Sequence, residues 1–215
     1  YAMSSNLDFN VLSAPDWVTV SNTEDSLKVS MTANTTGHRR IGYVKYNVGS
    51  YNDSIKVVQY NFDKDLAGDY YFVGQNDAGN LLAYKAKVYK DSISLPDLKF
   101  NIPATFDASQ ITISIKCGQY IGNFGAYYVY TIFADASNRY WTGYNVGSST
   151  YTAGFTFDNQ DGASAMFSGT FGTHEIGTLL LSAFSAKELN DNTYKADLLV
   201  LHSPFLVKKS ASPAK

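Results

Sequence analysis

Apolar and polar residues alternate along much of the chain. Leu27, Val29 and Met31 alternate with Lys28, Ser30 and Thr32. Ile55 and Val57 flank Lys56, and Leu82, Tyr84, Ala86 and Val88 alternate with Lys85 and Lys87. The cleanest case is "ITISIKC". Ile111, Ile113, Ile115 and Cys117 share one face, and Thr112, Ser114 and Lys116 share the other. A period of two is the signature of a half-buried strand. Further strands are predicted over 127–133, 139–144, 153–157, 165–171, 178–183 and 194–202. Gly, Asn, Asp, Ser and Pro cluster between them, at 75–80, 94–103, 133–138, 145–149, 158–164, 172–177 and 189–192. Such clusters mark turns. No segment sustains a 3.6-residue period, and "SAFSAKELNDN" has room for one short helical turn. Short strands with a turn every eight to twelve residues predict an all-β chain of sandwiches or barrels.

One break divides the pattern. The strand ending at Gln59 gives way to the polar "NFDKD", and a new opening, "LAGDYYF", follows. The expected organisation is residues 1–62, residues 63–209 and a disordered tail at 210–215. The first piece, about 60 residues, is near the lower limit for a domain that folds alone.

Composition agrees with this class. Of 215 residues, 17 are Tyr and 13 are Phe, and only 17% are charged, against roughly a quarter in ordinary domains. Aromatic residues suit pleated surfaces. A net charge of −2 supplies no field to hold nucleic acid or an anionic membrane. Cys117 is the only cysteine, so there is no disulfide framework and no cysteine zinc site. Its place on the apolar face predicts an inert, buried thiol. No apolar run approaches the roughly 18 residues of a membrane span, and no signal peptide is visible. The chain opens at Tyr1 inside a strand-like region. We read it as an exported chain, periplasmic or at the outer-membrane surface, whose leader and any lipid-anchor cysteine were removed.

The first piece carries an ordered series of features. They run Trp17 with "VTVS", Leu27-x-Val29, Ala33-Asn34, Arg40-x-Gly42-x-Val44-x-Tyr46 and Ile55-x-Val57-x-Gln59. The series resembles the BACON domain (Bacteroidetes-associated carbohydrate-binding, often N-terminal) over roughly residues 4 to 60. It departs at the start, where a full member would carry about one more strand. The resemblance implies a partial immunoglobulin-like β-sandwich on a bacterial exported protein, with a carbohydrate or spacer role. In the second piece "LAGDY", Leu66 to Tyr70, resembles the opening of lipocalin-like (calycin-like) barrels. Tyr70 stands where lipocalins usually carry Trp. That likeness implies an up-and-down β-barrel, and eight or nine strands in about 145 residues suit one.

Candidate chemistry is sparse. His38, His174 and His202 occupy separate turns or strand ends with no metal-ligand spacing. Asp158 and Asp161 sit in "DNQDGAS", which reads as a hairpin turn. Neither a nucleophile elbow nor a calcium loop is present. We expect no catalytic residue, metal or cofactor. "RYWTGYNVGSSTY" is the most suggestive stretch for binding. Tyr140, Trp141, Tyr144 and Tyr151 are the candidate ligand contacts, because aromatic faces stack on sugar rings and line small-ligand pockets. The competing reading gives them to packing. An interior filled by Phe155, Phe157, Phe167 and Phe171 would oppose a ligand inside the barrel. Trp17 is assigned to the sandwich core. "NTTGHRRIGYVKY" concentrates charge, but it reads as a turn at Asn34 and Gly37 followed by a strand. Gly42, Val44 and Tyr46 face inward, Arg40 serves as a structural residue, and His38 and Arg39 face solvent. The expected function is a monomeric, non-catalytic binder of a glycan or small ligand. The alternative is a structural or adhesion module acting through protein contacts.

Overall fold

A computed structural model describes residues 2–4, 8–23, 26–137, 147, 149–157 and 163–209. The chain is almost entirely β and divides into two compact units, Tyr1–Leu66 and Ala67–Lys215.

The first unit contains β1 (Ala2–Ser4), β2 (Phe9–Ser13), β3 (Val18–Thr23), β4 (Ser26–Met31), β5 (Arg40–Val48) and β6 (Tyr51–Gln59). They form two three-stranded antiparallel sheets, ordered β1-β4-β3 and β2-β5-β6. The alternating residues meet between the sheets. Phe9, Leu27 and Tyr46 form one buried cluster, and Val18, Val44 and Val57 form another. The Asn22 side-chain amide donates to the Phe9 carbonyl and ties β3 to β2. The inward face of β4 fades along the strand: Leu27 is fully buried, whereas Met31 is 43% exposed.

The polar "NFDKD" stretch is a structured turn. Phe62–Leu66 forms one turn of π-helix. The Asp65 N–H donates to the Asn61 carbonyl (2.8 Å), and the Asn61 N–H donates to Asp65 Oδ2 (2.7 Å). Asn61 Oδ1 also accepts the Lys64 N–H at 3.1 Å. Two side chains thus satisfy the donors that so short a helix leaves open.

The second unit contains β7 (Gly68–Gln75), β8 (Leu81–Val88), β9 (Ser92–Leu95), β10 (Phe100–Pro103), β11 (Thr105–Asp107), β12 (Thr112–Lys116), β13 (Tyr120–Phe124), β14 (Tyr127–Ala134), β15 (Thr150–Phe157), β16 (Ala163–Ser168), β17 (Thr170–Phe171), β18 (His174–Glu175), β19 (Thr178–Phe184) and β20 (Tyr194–Lys208). Twelve of them make one nearly closed, barrel-like sheet. It runs β10-β9-β8-β7-β20 and then forks. One edge of β20 pairs with β7. The other pairs first with β19, from Tyr194 to His202, and then with β16, from Phe205 to Val207. The switch falls at Ser203, whose φ is +46°. A left-handed residue followed by Pro204 interrupts the ladder and lets one long strand serve two neighbours.

The segment 94–103, expected as a turn, holds the end of β9 and all of β10 around a tight bend. The Leu98 and Lys99 N–H groups donate to the Leu95 and Pro96 carbonyls. Ile93, Leu95, Phe100 and Ile102 are buried, so packing fixes two short strands despite both prolines. Gly79 takes the positive φ (+76°) expected of the β7–β8 turn. Cys117 is buried beside Ile113 and Ile115, as the alternation predicted.

Aromatic rings fill the interior. Phe72 and Phe167 lie 5.5 Å apart, Phe167 and Tyr151 5.2 Å, and Tyr151 and Phe133 5.4 Å. Phe155 packs edge-on to Tyr70 and Phe106. Phe157 and Phe171, named above as candidate filling, are half-buried.

Asp197 on β20 is a half-buried carboxylate. Burial raises its pKa, and the nearby Asp77 carboxylate adds to the shift. Hydrogen bonds from Ser182 (2.6 Å) and Tyr194 act against it. In the unfolded chain an aspartate titrates near about 4. The raised folded value therefore contributes stability below that pH, and this contribution is lost as pH rises through the folded pKa. Asp197→Asn is expected to match wild type at pH 3 and exceed it at pH 7. Thermal melts across that range check this, and parallel wild-type and variant curves would refute it.

Candidate functional site

The charged stretch of the first unit is a structural hub. Arg40 opens β5 opposite Gln59, at the end of β6. Its Nε donates to Gln59 Oε1 (2.8 Å), and its Nη2 donates to the Thr32 carbonyl (2.6 Å) and the Ala33 carbonyl (3.3 Å). The Gln59 amide donates to the same Thr32 carbonyl at 2.9 Å. The guanidinium lies 4.3 Å over the Trp17 ring. Trp17 packs against the Val18, Val44 and Val57 cluster, as expected, but is half-buried, with Arg40 over its ring. It also lies against Gly42, where a Cβ would stand 3.0 Å from Trp17 Cζ2 and 2.4 Å from Pro15 Cγ. Asn34 organises the preceding turn. It accepts from Thr36 and donates to the His38 carbonyl at 2.7 Å. His38 is exposed, while Arg39 is half-buried and its charge acts on Tyr60. With its donors engaged by carbonyls and Gln59, Arg40 organises backbone and is poorly placed to take an anion.

A cleft of about 470 Å³ opens elsewhere on this unit, with Val29, Met31, Tyr46, Asp53, Ile55 and Val57 among its walls. Tyr46 donates to Asp53 Oδ2 there at 3.3 Å.

Of the four aromatic candidates, Tyr140, Trp141 and Tyr144 lie outside the described residues, as do Asp158 and Asp161 and the strand expected at 139–144. Tyr151 lies within the sheet, 1% exposed, between Phe133 and Phe167. Burial pushes its hydroxyl pKa upward. A hydroxyl so placed gains nothing from ionisation, and the ring serves packing. Tyr151→Phe is expected to change stability by less than about 1 kcal/mol, whereas Tyr151→Ala should cost about 3–5 kcal/mol. Urea unfolding of both variants tests this assignment.

The alternation pattern passed over a second aromatic group. "YIGNFGAYYVY", residues 120–130, folds as the β13–β14 hairpin. Tyr130 is buried against Phe184, but Phe124 is 57%, Tyr120 48% and Tyr127 40% exposed. Tyr120 packs on Tyr130 (5.5 Å) and donates to Asn123 Oδ1 (2.8 Å). A cleft of about 480 Å³ lies at the tip of this hairpin. Five aromatic residues in eleven was the available signal. Alternation alone could not tell which rings faced out, because both faces of β14 are buried beyond Tyr128.

The two histidines of the second unit make different contacts. His174 packs on Phe171. His202 Nδ1 lies 2.8 Å from the Thr178 hydroxyl, which donates to the Asp135 carbonyl. Its Nε2 lies 2.9 Å from Asp77 Oδ1. These bonds join β20 to the β7–β8 turn and to the residues just before Tyr140. Among the described residues, no three metal-ligating side chains converge.

Residues 8–60 match the model of the BACON family, described as "Putative binding domain, N-terminal". No curated protein matches the chain, and no solved structure does.

Proposed function

We propose that the protein is a non-catalytic binding protein, exported to the periplasm or outer-membrane surface of a bacterium. Its second unit recognises a glycan or small ligand, and the BACON-type unit is a spacer or accessory module. The protein acts as a monomer. The nearly closed, barrel-like sheet supports the lipocalin-like reading only in outline, and we place the ligand at its outer surface instead of its interior.

The division of aromatic rings in the second unit carries this reading. Phe72, Phe133, Tyr151 and Phe167 pack against one another inside, while Tyr120, Phe124 and Tyr127 face solvent. Water-facing aromatic groups on a polar protein mark contact surfaces. Tyr140, Trp141 and Tyr144 are proposed as contacts on the same unit.

Exposed rings also suit protein contacts, so the adhesion reading draws on the same residues. A glycan array with native mass spectrometry of the purified chain separates the two. Binding that Trp141→Ala and Tyr144→Ala abolish supports the ligand reading. A silent array with a protein captured in the mass spectrum supports adhesion.

A further inference from the structure

The cleft at the β13–β14 tip has the composition of a sugar subsite. Three elements enclose it: the 96–99 turn after β9, the hairpin tip Asn123–Gly125, and Leu198 with Leu199 of β20. Its floor is apolar, with Phe100 and Leu199 buried and Leu98 and Leu198 partly so. Phe124 stands beside them, largely in water.

Asp97, Lys99 and Asn123 supply the polar rim. Asn123 Oδ1 already accepts the Tyr120 hydroxyl. That contact orients the amide and leaves its two N–H donors without a partner among the described residues. Asp97 pairs at 3.6 Å with Lys85, both side chains more than half exposed. Lys99 holds φ at +58°, a conformation that non-glycine residues rarely take and that recurs at ligand clamps. One carboxylate therefore faces several donors across an apolar floor, with no strong net charge.

We infer that this cleft is a subsite for one or two neutral pyranose rings, with the Phe124 ring as the stacking face and Asp97, Lys99 and Asn123 as hydroxyl partners. The inference rests on the binding-protein reading above and gives it a site. A pyranose has an apolar C–H face and a polar edge, which match the floor and the rim. The volume falls in the range of small-ligand pockets, about 300–1,000 Å³. An alkyl chain would leave the rim groups without partners.

The test is calorimetric titration of the full chain with a panel of neutral oligosaccharides, their sialylated counterparts and dodecanoate. Wild type, Phe124→Ala, Asp97→Asn and Trp141→Ala are compared. The inference predicts that neutral sugars bind wild type and that each cleft variant weakens binding about tenfold. The melting midpoint should not change, because both side chains are exposed. Full affinity in Phe124→Ala, with loss in Trp141→Ala, overturns the cleft and keeps the binding reading. Sugar binding absent from wild type overturns both. Dodecanoate binding without sugar binding overturns the ligand class.

Discussion

Arg40→Ala is expected to lower the melting midpoint of the first unit by roughly 10–25 °C. The side chain joins three separate pieces of chain: Thr32–Ala33 after β4, Gln59 at the end of β6, and Trp17 before β3. Its removal takes a donor from the Gln59 side-chain oxygen and the Ala33 carbonyl, while the Thr32 carbonyl keeps the Gln59 amide. Hydrogen bonds to a charged group are worth about 1.5–3 kcal/mol, and a half-buried cation–π contact about 1 kcal/mol. A total near 3 kcal/mol is a large share of the roughly 3–10 kcal/mol available to a unit of this size, and each kcal/mol moves such a midpoint by about 4–8 °C. Arg40→Lys should recover only part of the loss, because an ammonium cannot hold the fork and the stack together. In a Trp141→Phe background, Trp17 fluorescence reports this unit. A midpoint within about 3 °C of the parent would refute the hub.

Gly177→Ala is expected to destabilise the second unit by about 3 kcal/mol and to weaken any binding by residues 140–144. A Cβ at Gly177 would lie 2.6 Å from both the Ala136 N and Cα. These are backbone atoms, so no rotamer change relieves the clash. The residue is fixed on both sides. Its N–H donates to the Ala134 carbonyl (3.0 Å), and its carbonyl accepts the Ser203 N–H (2.7 Å). Overpacking of this kind costs about 1–3 kcal/mol, sometimes more. The displaced backbone belongs to the turn after β14 that precedes Tyr140 in the chain. Gly154→Ala is the control, since nothing lies within 4 Å of its Cβ position. Differential scanning calorimetry of the two variants should separate them by several degrees. Equal midpoints would contradict the close approach.

Local rules made part of this fold legible. "ITISIKC" named its buried face correctly through Cys117, and Asn34-x-x-Gly37 with Arg40 described a turn and a structural arginine. Each case depends on neighbours within a few residues or on strict alternation. The misses depend on distant partners. The Ser203 bulge and the length of β20 follow from pairing with β7, β19 and β16, which lie far away in sequence. Trp17 was expected in the core and packs against it, but it is only half-buried. Its position under Arg40 depends on a residue 23 positions away. The exposed rings of 120–127 were passed over because composition cannot say which side of a hairpin meets water. In "NFDKD" the sequence marked only a polar break, whereas the reciprocal Asn61–Asp65 pairing makes it a structured turn.

The central claim is that a surface of the second unit binds a glycan without transforming it. A glycan array comparing wild type with the Phe124→Ala/Trp141→Ala double variant tests it most directly, with bound sugars recovered and weighed by mass spectrometry. Wild type is expected to retain neutral oligosaccharides intact, and the double variant to lose them. Retention by the double variant, or recovery of cleaved sugars, would contradict it.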